Sequence, residues 1–149
     1  MSQADEAREV LRVERTFDAS ADEVFEAWTS VEVLKRWFHA EPEWETPFAE
    51  VDLRVGGRVR ITMRDPEVGA EHGGSGEYTL IDPPRRLSFT WLWDRDDESK
   101  KQLIELEFID RGNATTVVLT DSGLTKEDVE SHRHGWEGSF DNLETALAV

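Results

Sequence analysis

From residue 49 to residue 121 apolar side chains recur at every second position, whereas on both flanks they recur every three or four. That change of period restricts the chain to an antiparallel sheet bracketed by helices. In the sheet region "EVDLRV" reaches "RVRITMRD" through Gly56-Gly57, which reads as a hairpin. Val59, Ile61 and Met63 fall on one side of the second strand and Arg58, Arg60, Thr62 and Arg64 on the other. "GEYTLID" stops at Pro83-Pro84, and "RLSFTWLW" then puts Leu87, Phe89, Trp91 and Trp93 on a single face. The acidic "DRDDESKK" predicts an exposed loop; "QLIELEFID" aligns Ile104, Leu106 and Phe108, and Gly112-Asn113 turns the chain into "TTVVLTD". A sheet with one aromatic face must have that face covered.

The flanks supply the cover. "VLRVERTF" is a strand with Leu11, Val13 and Phe17 on its buried side. In "SADEVFEAW", Ser20 is placed to cap a helix and Glu23 to complete a capping box. "TSVEVLKRWF" repeats the device with Thr29 and Glu32, and Val33, Leu34, Trp37 and Phe38 supply its apolar side. The last helix is expected to begin at Thr125, with Asp128 as an acidic variant of the box. Val129, His132, Trp136, Phe140, Leu143 and Leu147 then form one stripe, making this the long amphipathic element that should lie across the sheet.

That helix contains "SHRHGWEGSFDNL", whose two glycines each cost about 1 kcal/mol relative to alanine. If Phe89, Trp91, Trp93 and Trp136 hold sheet and helix apart at one end, a cavity remains between them. Gly135, beside the inward stripe, either leaves room for a ligand or permits close helix packing. Gly138 is expected toward solvent or the flank.

Composition bounds what the fold can do. The 149 residues read as one domain, with a polar tail over 1–9 and the domain over 10–149; no repeat or linker interrupts it. With 17 basic against 33 acidic residues the formal charge is -16, which repels phosphate backbones and anionic bilayers and argues against a nucleic-acid partner. No run approaches the roughly 18 apolar residues of a membrane span, so no membrane insertion is expected. "MSQADEARE" lacks a secretory signal pattern, and the chain reads as cytoplasmic. The absence of cysteine removes disulfides, thiolate nucleophiles and cysteine-ligated metals.

Local motifs for chemistry are few. His132 and His134 stand two apart, which sends them to opposite sides of a helix, and no H-x-x-x-H spacing exists; neither a metal nor a cofactor is expected. "GGSGE" around Ser75 fails the nucleophile-elbow pattern, and Gly73, Gly74 and Gly76 lack the lysine of a phosphate loop. These glycines read as a flexible loop before Tyr78. Arg58, Arg60 and Arg64 read as a solvated row paired with acids. His132, on the inward stripe, is either an interior histidine with a backbone partner or a catalytic base or ligand contact.

Taken together, "RTFDASADEVFEAWTSVEVLKRWF", "VDLRVGGRVR", "GEYTLIDPPRRLSFTW" and "HRHGWEGSFDNL" resemble the START-like helix-grip superfamily. Within it they are similar to the family of the carboxy-terminal domain of the Hsp90 ATPase activator, over about Val10 to Leu147. The resemblance implies an α+β helix-grip fold in which a curved seven-stranded antiparallel sheet surrounds a long C-terminal helix, with two short helices after the first strand. It also implies a mostly apolar cavity lined by positions matching Trp37, Met63, Tyr78, Phe89, Trp91, Leu106, His132 and Trp136. Related folds bind lipids, hormones or polyketides, and some catalyse cyclisation or dehydration. The leading expectation is therefore a small binding protein, not an enzyme, for a hydrophobic, ring-containing or lipid-like molecule. A cyclase or dehydratase in which His132 moves protons and Tyr78 orients a carbonyl is the second. A chaperone partner is the third; the activators carry a further amino-terminal domain, and this length does not accommodate both. Monomer and homodimer are equally open.

Overall fold

The computed structural model describes residues 8–148. The polar tail expected over 1–9 falls mostly outside them. In chain order the elements are β1 (Glu9–Phe17), α1 (Ala21–Thr29), α2 (Val31–Trp37), β2 (Glu45–Val51), β3 (Arg58–Asp65), β4 (Ala70–Asp82), β5 (Arg86–Trp93), β6 (Gln102–Asp110), β7 (Thr115–Leu124) and α3 (Val129–Leu147). Every neighbouring pair of strands is antiparallel, in the order β1-β7-β6-β5-β4-β3-β2. The fold class is the helix-grip α+β arrangement, with α3 lying on the inner face of the sheet against β1, α1 and α2.

Local chemistry accounts for most of the boundaries. Ser20 accepts from the Glu23 amide at 3.2 Å while the Glu23 carboxylate accepts from the Ser20 amide at 3.2 Å, a complete capping box. The second helix departs from expectation: Ser30, not Thr29, is its N-cap and accepts from the Val33 amide. Ser30 also donates its own amide to Glu26 O at the end of α1, so one residue closes the first helix and opens the second. Thr29 is still helical, and its hydroxyl bonds back to Phe25 O.

Three further expectations are corrected. The strand expected in "EVDLRV" ends at Val51 and β2 begins earlier, at Glu45, so Asp52–Val55 already belong to the connection; the turn does fall at Gly56-Gly57, and Gly56 has a φ of 85°, the left-handed conformation that this turn requires. Thr125 makes no side-chain cap; a 3-10 turn over Lys126–Asp128 precedes α3. Gly73, Gly74 and Gly76 are not a loop but the middle of β4, paired with β3. A Cβ at Gly74 would stand 2.5 Å from the Trp91 ring, and one at Gly76 would stand 1.7 Å from Thr90 O. Bare backbone on β4 is what lets β5 and its tryptophan approach.

Leu11, Val13, Phe17, Leu87, Phe89, Ile104, Leu106, Phe108, Val117 and Leu119 pack from the sheet onto Val24, Phe25, Trp28, Leu34, Trp37, Phe140 and Leu143 from the helices. Each such side chain, fully buried, contributes on the order of 2 kcal/mol. The outer row behaves as expected: Arg58 pairs with Glu50, Arg60 with Asp94, and Arg64 with Glu45 and Glu71. No helix among the described residues is long and apolar enough to cross a membrane.

Candidate functional site

Phe140 and Leu143 sit flush in the core, but toward its N-terminus α3 lifts away from the sheet. The gap is a cavity of about 490 Å³. The aromatic side chains Phe38, Trp44, Trp91, Trp93 and Trp136 wall it, together with Met63 and His72, and Arg95, Asp96, Lys100 and Asp128 form a charged rim.

Two glycines of α3 set its shape, with roles that the sequence did not separate. A Cβ at Gly135 would meet nothing within 4 Å, so this glycine leaves open space in the cavity wall. Gly138 does the opposite of what was expected. Its Cβ would stand 1.9 Å from Ala40 O, so α3 presses directly on the segment that follows α2. His39 O accepts from Ser139 Oγ at 3.1 Å and from Asn142 Nδ2 at 2.8 Å, fastening that contact. The His39 ring is buried; its Nδ1 lies 2.9 Å from Thr46 Oγ1, which itself donates to Phe38 O. Because the threonine proton is used there, His39 Nδ1 is the donor. Desolvation by burial lowers its pKa below the ordinary histidine value.

The cavity has one polar corner, where β6, β7 and α3 meet. Asp121 is completely buried there, at 0% exposure. Trp136 Nε1 donates to its Oδ2 at 2.9 Å. With the Gln102 amide turned so that its nitrogen faces the carboxylate, that nitrogen lies 2.9 Å from Oδ1 and 3.1 Å from Oδ2. His132 Nδ1 stands 3.5 Å from Oδ2. Three donors thus converge on one carboxylate, which is how a buried charge avoids the several-kcal/mol cost of lying unpaired. Asp121 is the member of this group that sequence reading missed. A signal existed: in "TTVVLTD" the alternation that buries Val117 and Leu119 also turns Asp121 inward.

The expected site residues divide into two sets. Met63, Trp91, His132 and Trp136 line the cavity. Trp37, Tyr78, Phe89 and Leu106 lie behind them in the packed core. Trp37 donates to Ala27 O at 2.9 Å, and Tyr78 packs edge-on to Phe89, which in turn meets Trp91. Burial holds the Tyr78 phenol well above the ordinary tyrosine range. His134 faces away from His132, with Nε2 3.0 Å from Glu41, and His72 stacks on Trp44 with ring centroids 5.5 Å apart. Among the described residues no three His, Asp or Glu side chains gather in a way that would hold a metal ion.

A curved sheet gripping a terminal helix over a partly apolar cavity defines the helix-grip class. The sequence profile of the family described as Activator of Hsp90 ATPase homolog 1-like protein matches residues 18–148, and the chain belongs to that family. The human Activator of 90 kDa heat shock protein ATPase homolog 1 is 25% identical over 127 residues, which cover 85% of this chain and 33% of the human protein. The mouse protein of that name is 24% identical over the same length, so the chain spans about a third of these curated relatives. Among solved structures, the AHSA1-like protein from Aeromonas hydrophila has a TM-score of 0.81 at 26% identity, covering 94% of this chain and 92% of that one. The AHSA1 protein from Silicibacter pomeroyi has a TM-score of 0.82 at 25% identity, with coverages of 94% and 98%. A protein from Chromobacterium violaceum reaches 0.84 at 19% identity, covering 93% and 97%, a likeness of fold alone.

Proposed function

We propose that the protein binds a small, predominantly apolar, ring-containing molecule between α3 and the sheet. The observation that carries this reading is the cavity of about 490 Å³ walled by aromatic side chains, with a single hydrogen-bonded polar corner. Small-molecule sites combine these properties: a concave apolar wall of a few hundred Å³ supplies affinity, and a few placed polar groups fix orientation. Flat rings stack favourably on Trp91, Trp93 and Trp136. Native mass spectrometry of protein purified gently from its own host, together with thermal-shift titration against a panel of aromatic and lipid-like molecules, tests the reading. A stoichiometric adduct lost on denaturation, or a saturable rise in Tm, is the expected result. Bare protein with no stabilisation by any panel member counts against it.

The Asp121–His132 pair supports a second reading, a cyclase- or dehydratase-like enzyme. A carboxylate orienting Nδ1 while Nε2 is directed elsewhere is the arrangement of a general base. His132→Gln then removes turnover and spares binding; turnover at the wild-type rate contradicts the assignment. Tyr78 has no part in this version, because it lies behind Phe89 and Trp91. Action on an Hsp90-type chaperone rests on the family and on the likeness to the human activator. Stimulation of the host chaperone's ATPase by the purified protein is its test, and an unchanged rate counts against it.

A further inference from the structure

We infer that the molecule held in this cavity carries a neutral hydrogen-bond donor, a hydroxyl group, that is accepted by His132 Nε2, and that the cavity discriminates against carboxylates. This rests on the cavity-binding reading above and names the chemistry of its polar end.

Asp121 is fully buried at the polar corner. Trp136 Nε1 donates to it at 2.9 Å and is incapable of accepting. The Gln102 amide nitrogen, at 2.9 and 3.1 Å, also only donates. The third group at the carboxylate is His132 Nδ1, and a lone pair there would face an oxygen that is itself an acceptor. Nδ1 therefore carries the proton. In the neutral ring the other nitrogen, Nε2, then presents a lone pair. The His132 side chain is 18% exposed and lines the cavity, and among the described residues Nε2 has no protein hydrogen-bond partner. The tautomer is thus fixed by a buried network, and the atom left over is an acceptor beside an aromatic wall.

An acceptor at this place selects by charge. A ligand hydroxyl donates to Nε2 and is matched. A ligand carboxylate meets the lone pair instead, with the buried Asp121 charge immediately behind it. The formal charge of -16 adds a field that repels an anionic ligand. The rim does not reverse this. Lys100 faces Asp128 at 3.8 Å, and the Arg95 guanidinium lies 5.4 Å over the Trp93 ring with Asp96 beside it on the rim.

The test uses three probes that share one ring system and differ in one substituent: naphthalene, 2-naphthol and 2-naphthoate, titrated by calorimetry into the purified protein at pH 7.5 and physiological salt. The expected order is 2-naphthol at least tenfold tighter than naphthalene, with 2-naphthoate weakest. In His132→Phe the hydroxyl preference falls to within a factor of two while naphthalene binding persists. In His132→Gln, whose amide oxygen also accepts, part of the preference returns. Equal binding of naphthol and naphthalene, or naphthoate binding as tightly as naphthol, overturns the inference and leaves the cavity reading standing. Absence of saturable binding by all three overturns both. The ranking by the unmodified protein is decisive by itself, so a variant that fails to fold does not rescue the idea.

Discussion

Replacing each of the two α3 glycines by alanine gives opposite results, and the magnitudes follow from what the new methyl group meets. At Gly135 the added Cβ finds nothing within 4 Å, so only the backbone term remains, and alanine raises stability by about 1 kcal/mol. At Gly138 the same backbone gain is overwhelmed. The Cβ would lie 1.9 Å from Ala40 O, a backbone atom that has no rotamer to escape into. Helix α3 must move outward by an ångström or more, overpacking of this kind costing roughly 1–3 kcal/mol. That movement also stretches the bonds from Ser139 and Asn142 to His39 O, each worth about 1 kcal/mol. Set against the helix-propensity gain, the net loss is about 2 kcal/mol. At roughly 2–4 °C per kcal/mol for a chain of this size, Gly135→Ala raises Tm by about 3 °C and Gly138→Ala lowers it by about 6 °C. Urea unfolding and differential scanning calorimetry measure both. A Gly138→Ala protein as stable as the parent, or a Gly135→Ala protein less stable, refutes the division of roles between the two glycines.

Four further outcomes are expected. Gly135→Leu places a large side chain in the cavity wall, so it abolishes probe binding in calorimetry while the urea midpoint stays at or above that of the parent; retained affinity contradicts the placement of the ligand. Asp121→Ala leaves Trp136 Nε1 and Gln102 without their acceptor and lowers stability by about 2 kcal/mol, whereas Asp121→Asn, which keeps one acceptor oxygen, costs less; equal losses in urea titrations contradict the network. The pKa of His39 is lower folded than unfolded, so the unfolded chain binds the extra proton first and stability falls as pH drops below about 6.5; unfolding free energies measured at pH 7.5, 6.5 and 5.5 should decline over the last interval, and a His39→Gln protein should decline less. Finally, screening of a net charge of -16 should raise the urea midpoint between 0.02 and 0.5 M NaCl; a falling midpoint means that the surface ion pairs outweigh the repulsion.

The parts of this structure that were legible in the sequence are those governed by local rules. Alternation marked the strands that bury Leu87, Phe89, Ile104 and Leu106, and the Ser20–Glu23 spacing marked the start of α1. Cap choice between adjacent hydroxyls was not legible, because Thr29 and Ser30 are both competent and only the path of α1 into α2 selects Ser30. The glycines of β4 look like a loop until Trp91 is placed across them, and that contact is between strands. The same limit applies to the site. Period two shows that Tyr78, Phe89 and Trp91 share a face, but not that Trp91 reaches the cavity while Tyr78 is covered by its neighbours. Asp121 was readable as an inward acid; its partners Gln102, His132 and Trp136 come from β6 and α3, and the register that unites them is set by the whole sheet.

Whether the space between α3 and the sheet holds a ring-containing molecule is read at the six tryptophan indole N–H signals in a 15N-resolved NMR titration with 2-naphthol. Trp44, Trp91, Trp93 and Trp136 line the cavity, whereas Trp28 and Trp37 are packed in the core behind it. Saturable shifts are expected for the four lining indoles, largest at Trp136, with those of Trp28 and Trp37 nearly unmoved. Shifts that never saturate, or that spare Trp91 and Trp136, contradict binding in this cavity.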